Sequence, residues 1–98
     1  NGKPGEPPMR PNLSLGDTVA GLHTALGIVM ACLYQARNPG SRGQVIDTAL
    51  YEASFNLLEG VVPEYDGAGV VREPSGSTLT GIVPTNTYKC ADGKFVVI

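Results

Sequence analysis

Between Asp17 and Arg37 the sequence is apolar nearly all the way round a helix, and few folds can house such an element. Val19, Leu22, Ala25, Leu26, Ile28, Val29, Met30, Leu33 and Ala36 cover more than one face, the pattern of a helix packed by protein on most sides. Gly21 and Gly27 interrupt it. Each costs ~1 kcal/mol relative to alanine in a helix interior, so close approach of another group is the expected reason for them. Asn38-Pro39-Gly40-Ser41 stops the helix, and Arg37 suits its negative end. The apolar run from Val19 to Tyr34 is too short to span a bilayer and is broken by His23 and Thr24, so protein rather than lipid is the expected surrounding.

The rest of the chain reads as shorter pieces. Asn1 to Leu15 carries Pro4, Pro7, Pro8 and Pro11, which favours extended connecting coil. Val45-Ile46-Asp47-Thr48 is a short strand candidate. Ala49 to Glu59 has helical spacing, with Leu50, Ala53, Leu57 and Leu58 on one side and Gly60 as C-cap. Helix, strand and helix together predict α/β architecture. Val61 to Thr80 is rich in Gly, Pro and Ser and is expected to be a linker without regular structure. Beyond it, Thr85–Cys90 and Lys94–Ile98 are the arms of a β-hairpin turning at Ala91-Asp92-Gly93. The composition shift near Gly60 divides the chain into 1–60, part of a large α/β domain, 61–80, the linker, and 81–98, the start of a smaller domain. An opening Asn and a closing apolar strand give the expectation of an internal piece of a longer protein.

Charge narrows the partners. Seven Lys and Arg against nine Asp and Glu leave a net charge of −2 with no basic cluster, which argues against nucleic acid and anionic membrane. Only 16% of residues are charged, below the usual quarter, so part of this surface is expected to meet other protein. Cys32 and Cys90 form no CxxC pair and are expected to be buried thiols in a reducing compartment. With His23 they lack metal-ligand spacing, so no metal site is expected. Gly67-Ala68-Gly69 begins a dinucleotide fingerprint, but Arg72 stands where the third glycine belongs.

Asp17 is where chemistry could reside. Directly before the helix it is a preferred N-cap. The same unpaired N–H groups and helix dipole would also stabilise a reacting carboxylate. Gly21, four residues on, lies beneath it on one face and leaves room for a substrate. His23 lies about 120° away around the helix, so no relay between the two is expected. From the residues alone, cap and nucleophile both stand.

Taken in order, Gly16-Asp17-Thr18-Val19-Ala20-Gly21-Leu22-His23, Ala25-Leu26-Gly27-Ile28, Arg42-Gly43-Gln44-Val45-Ile46-Asp47, then Pro84, Tyr88 and Asp92-Gly93 resemble family III CoA-transferases. The resemblance covers nearly all of the chain after Arg10. It implies a Rossmann-like large domain and an interlocked homodimer. It also implies an Asp17 that carries the acyl group from an acyl-CoA towards a carboxylic acid, with CoA thioester as substrate and no resident cofactor. Leu50 matches a position that packs against CoA. The segment Ser75 to Val83, with Gly76 and Gly81, matches a mobile glycine loop over the aspartate, although its consecutive glycines are missing, which weakens the case for formyl-CoA as donor. The piece alone is expected to be inactive, and the whole protein cytoplasmic, or mitochondrial in a eukaryote. An α-methylacyl-CoA racemase, with Asp17 as acid/base, shares the pattern. A non-catalytic module with Asp17 as a helix cap is the third alternative.

Overall fold

The computed structural model describes residues 1–98. In chain order it holds α1 (Leu15–Arg37), α2 (Leu50–Phe55) extended by a 3-10 turn at Asn56–Leu58, α3 (Val61–Ala68), β1 (Thr87–Lys89) and β2 (Phe95–Val97). Helices and a two-stranded antiparallel sheet agree with an α/β class. Two compact units divide between Val62 and Pro63: one is 11–62, and the other joins 1–10 with 63–98.

In the first unit α1 packs on α2. Small side chains make this possible. Ala20 and Ala53, one on each helix, are the two buried apolar residues, and a methyl group on Gly16 would stand 3.4 Å from Ser54 Oγ. The segment after Gly40 returns along α1. A methyl group on Gly27 would lie 3.0 Å from Ile46 Cγ2, and the Thr24 hydroxyl, which donates to the Ala20 carbonyl at 2.8 Å, is hydrogen-bonded to the Thr48 hydroxyl at 3.0 Å. Close approach therefore explains Gly27. Gly21 differs: nothing lies within 4 Å of a methyl group placed there.

The strand expected at Val45–Thr48 does not form, because no second strand runs beside it and the one sheet is β1–β2. The segment is held by α1 instead, with Val45 95% exposed. α2 is shorter than the predicted helix, and Glu59, not Gly60, takes positive φ (48°) after it. The packing that α1 calls for is not supplied within these residues: Leu22, Leu26, Val29 and Met30 are each more than 60% exposed. At 23 residues α1 is also long and apolar enough to cross a membrane, which corrects the judgement that it is too short. A core helix of a soluble protein passes the same test, and α1 has protein along one side.

The second unit is knit by local bonds. β1 and β2 pair in the register Thr87↔Val97, Tyr88↔Val96 and Lys89↔Phe95, and Asn86 and Ile98 exchange both backbone bonds at 3.1 Å. At the turn, Gly93 takes φ 84° and Asp92 Oδ1 accepts from the Lys94 N–H at 3.0 Å. Tyr88 Oη donates to the Pro84 carbonyl at 2.6 Å. The hairpin forms as predicted, with strands shorter than the arms read from sequence.

The linker expected over 61–80 is partly helical, since α3 runs through Gly67 and stops before Gly69, whose φ is 65°. Pro63 is tolerated because it sits in the first turn, where its missing N–H costs no helical bond. Cys32 and Cys90 are both free and exposed, against the expectation of burial, because the helix face and hairpin end that carry them are uncovered.

Candidate active site

The helix that carries Asp17 starts earlier than its sequence pattern suggests. Ser14 occupies the N-cap position, Leu15 is the first helical residue, and Asp17 stands third in the first turn. The Thr18 N–H donates to the Ser14 carbonyl at 2.9 Å, the first bond of the ladder. Asp17 is therefore not the cap, and no side-chain cap bond is made at this end. A carboxylate in the first turn still meets the positive end of the helix dipole and its unpaired N–H groups.

The Asp17 side chain is exposed and makes neither a hydrogen bond nor an ion pair. The helix face next to it is kept bare by Gly21, where a side chain would meet open space. Chemically this is a carboxylate with both oxygens available and a clear approach over one turn of helix. His23 is not turned to the same task. Its Nδ1–H donates to the Val19 carbonyl at 2.8 Å, so it is satisfied within its own helix, as its angular separation from Asp17 predicts.

Leu50 opens α2 and lines an open groove of about 470 Å³ with Tyr51, Ser54, Phe55 and Leu58. The groove is apolar apart from Ser54, whose hydroxyl donates to the Leu50 carbonyl at 2.8 Å. Since Gly16 packs against Ser54, the first turn of α1 and the helix bearing Leu50 belong to one packed pair. Gly76 and Gly81 lie in the other unit. Both have positive φ, 66° and 83°. Gly76 sits in a turn closed by Ser75 Oγ donating to the Thr78 carbonyl at 2.8 Å, and Gly81 sits within the turn closed by the Ile82 N–H on Leu79 O at 3.1 Å. Glycine is needed at these positions for backbone reasons. No group of three or more His, Cys, Asp or Glu is placed to hold a metal ion.

Two features escape the sequence. Glu64 of α3 receives Arg72 Nε at 2.7 Å on Oε2 and Arg72 Nη2 on Oε1, a two-pronged pair that joins α3 to the irregular chain after it. The hydrogen bonds from Arg72 hold the Glu64 carboxyl below its ordinary range. The spacing of eight residues between them matches no helix rule, and no local pattern signals it. The first ten residues have no helix or strand, as the prolines predict, but specific bonds close them into a loop that the sequence does not show. Asn1 and Met9 exchange two bonds, Met9 N–H to Asn1 O at 3.1 Å and Asn1 Nδ2 to Met9 O at 2.9 Å. Lys3 and Arg10 line a small pocket beside that closed loop. A lone proline count conceals such a loop; the signal available was two cations with a single acid, Glu6, between them.

Comparison with known proteins gives the family. The family model described as CoA-transferase family III matches residues 1–98. The succinyl-CoA–D-citramalate CoA-transferase of Chloroflexus aurantiacus is 41% identical over 97 residues, which is 99% of this chain and 24% of that protein. The alpha subunit of a succinyl-CoA–L-malate CoA-transferase from the same organism is 39% identical over 98 residues, 99% of this chain and 22% of that protein. Among solved structures, a CAIB/BAIF family protein from Brucella suis superposes with a TM-score of 0.80 at 26% identity, over 100% of this chain and 25% of the other. The chain thus spans about a quarter of the length of the curated relatives it matches.

Proposed function

Because this chain belongs to CoA-transferase family III, we propose that its parent protein transfers CoA between an acyl-CoA and a carboxylic acid, with Asp17 as the acyl carrier. The observation that carries this reading is the state of Asp17: exposed, unpartnered, in the first turn of a 23-residue helix, with open space above Gly21. An aspartate retained only as a cap would sit at the N-cap and bond a backbone N–H; Asp17 does neither.

The chemistry follows from a carboxylate so placed. An Asp17 oxygen attacks the acyl-CoA carbonyl, the carbon–sulfur bond breaks, and CoA leaves as thiolate with a mixed anhydride on Asp17. The thiolate then attacks the aspartyl carbonyl, releases the donor acid as carboxylate, and forms an aspartyl-CoA thioester. The acceptor carboxylate attacks that thioester to give a second anhydride and free thiolate. Attack of the thiolate on the acceptor's acyl carbon yields the new acyl-CoA and restores Asp17. Helix N–H groups at the positive end stabilise the oxyanions that develop at each step. No resident cofactor is needed.

The two Chloroflexus relatives carry names with succinyl-CoA as one substrate and a hydroxy dicarboxylic acid as the other, which supports a dicarboxylic acid on each side of the reaction here. Transferase names also favour transfer over the racemase chemistry that would use the same aspartate. Leu50 is read as a wall for CoA, and Gly76 and Gly81 as substrate-loop residues. Residues 1–60 are read as part of a Rossmann-like large domain, 61–80 as the connection and 81–98 as the start of a smaller one, although residues 1–10 group with 63–98 in the structure. The assembly proposed is an interlocked homodimer, in the cytoplasm.

The test uses the full-length protein. Asp17→Asn abolishes transfer, because an amide oxygen forms no anhydride, while the helix is preserved. Incubation with succinyl-CoA and then hydroxylamine converts Asp17 to a hydroxamate, read by peptide mass spectrometry. Full activity in the Asn variant overturns the reading. An unmodified Asp17 with rapid exchange of the substrate α-proton into deuterated solvent replaces it with racemase chemistry.

A further inference from the structure

The pocket beside residues 1–10 has a chemistry of its own. Its lining is Asn1, Gly2, Lys3, Met9, Arg10 and Gly76, around roughly 240 Å³. That is smaller than the ~300–1,000 Å³ of pockets that swallow a whole ligand, so it suits one end of a ligand. The loop is held shut by the Asn1–Met9 exchange and by the Glu6 N–H on Lys3 O at 3.2 Å. Gly2 at its base is buried with φ 127°, and a methyl group there would stand 3.3 Å from Met9 N. The Gly76 N–H donates to Gly2 O at 2.9 Å, which fixes the far wall. The two cations are thus presented from a closed frame rather than from a loose tail.

Neither cation is satisfied within residues 1–98. The ion pairs of the chain are Arg72–Glu64 and Lys94–Asp92, and the side chains of Lys3 and Arg10 make no hydrogen bond. Glu6, the one acid in the loop, is not among the lining residues. In a chain whose net charge is −2, two unopposed cations lining one pocket are a local feature and not a consequence of composition. Arg10 supplies a planar fork matched to carboxylate or phosphate, and Lys3 a mobile ammonium beside it.

We propose that Lys3 and Arg10 form an anion subsite that takes a carboxylate or phosphate end of a substrate of this protein. Its biological meaning rests on the transfer reading above: the free carboxylate of a dicarboxylic acid and a phosphate of CoA are the two sources of such a group.

Full-length protein carrying Arg10→Gln, Lys3→Gln or Arg10→Lys tests it, with Lys89→Gln, an exposed charge on β1, as control. Titration calorimetry with succinate and with CoA reads binding without any need for turnover. Arg10→Gln and Lys3→Gln weaken at least one of these ligands roughly tenfold or more, the scale of a lost hydrogen bond to a charged group. Arg10→Lys recovers part of the loss, and Lys89→Gln changes nothing. If succinate alone weakens, the site holds the dicarboxylate; if CoA weakens and dephospho-CoA does not, it holds the CoA phosphate. Unchanged affinity for both ligands in both Gln variants overturns the subsite, as does an equal loss in Lys89→Gln. Arg10-dependent binding in a protein whose Asp17→Asn variant keeps full transfer would leave the subsite standing and remove the acyl-carrier reading.

Discussion

The α1–α2 pair and the β-hairpin are built on opposite principles. The hairpin is specified by bonds that close within a few residues: Gly93 at φ 84°, Asp92 on the Lys94 N–H, Tyr88 on Pro84. The helical pair makes its backbone bonds locally but buries just two alanines. The large apolar side chains of α1 from Leu22 to Leu33 remain exposed. A local element can thus be complete in a piece of chain, while a core helix cannot, although both are fully formed in their backbones. Asp17, the proposed acyl carrier, stands on the second kind, in the first turn of α1.

The largest expected effect separates the two regions outright. Residues 1–98 expressed alone should associate or populate a molten state with strong dye binding, because Leu22, Leu26, Val29 and Met30 of α1 are all exposed. In the same sample the hairpin amides nearest Gly93 should still show local protection in hydrogen exchange. A monodisperse monomer with sharp cooperative unfolding would break the comparison.

The two helix glycines sharpen it in the full-length protein. Gly21→Ala meets no neighbour, so it should raise stability by up to ~1 kcal/mol through helix propensity. It should also raise KM for acyl-CoA, if the bare face next to Asp17 is a substrate approach. Gly27→Ala presses on Ile46 and should lose that gain. In an Ile46→Ala background the gain should return, so denaturant titrations of the four variants should show coupling of about 1 kcal/mol. Additivity would mean that Ile46 yields freely.

Within the hairpin, Gly93→Ala places a side chain at φ 84° and should cost about 1 kcal/mol, read as faster exchange at the turn with no change in α1. The smallest effect belongs to Glu64. Its folded pKa lies below the ordinary value of 4.5, so the Arg72 pair contributes stability above that value, and the contribution is lost as pH falls through the lowered pKa. Glu64→Gln should flatten this acid limb slightly while leaving neutral-pH activity alone, measured by melting temperature against pH.

Much of this was legible in the sequence, in proportion to how local the signal is. α1 and the hairpin follow from periodicity and turn residues, and both form. Ser14 displaced Asp17 as N-cap because the helix pattern begins with Leu15, an apolar residue that the proline-rich coil before it had absorbed. Val45–Thr48 has strand composition, but a strand is a pairing, and its partner is not among these residues. α3 was missed because Gly67 and Pro63 read as breakers, yet each sits within a turn of a helix end. Arg72–Glu64 and Lys3–Arg10 lay beyond sequence reasoning, since each depends on where the chain turns back.

The bond from the Gly76 N–H to Gly2 O carries a consequence for the order of events during synthesis. A ribosome adding roughly 5–20 residues per second needs several seconds to reach Gly76 after making Gly2. Through that interval the loop bearing Lys3 and Arg10 lacks its bond to Gly76, and both α1 and α2 are completed before Gly76 is added. The helical pair can therefore zip up first, as one continuous stretch of nascent chain, and the cationic pocket is sealed only after the intervening segment has left the exit tunnel. A pause introduced between Leu58 and Gly76 would lengthen the life of that half-built state without altering a single residue of the finished protein.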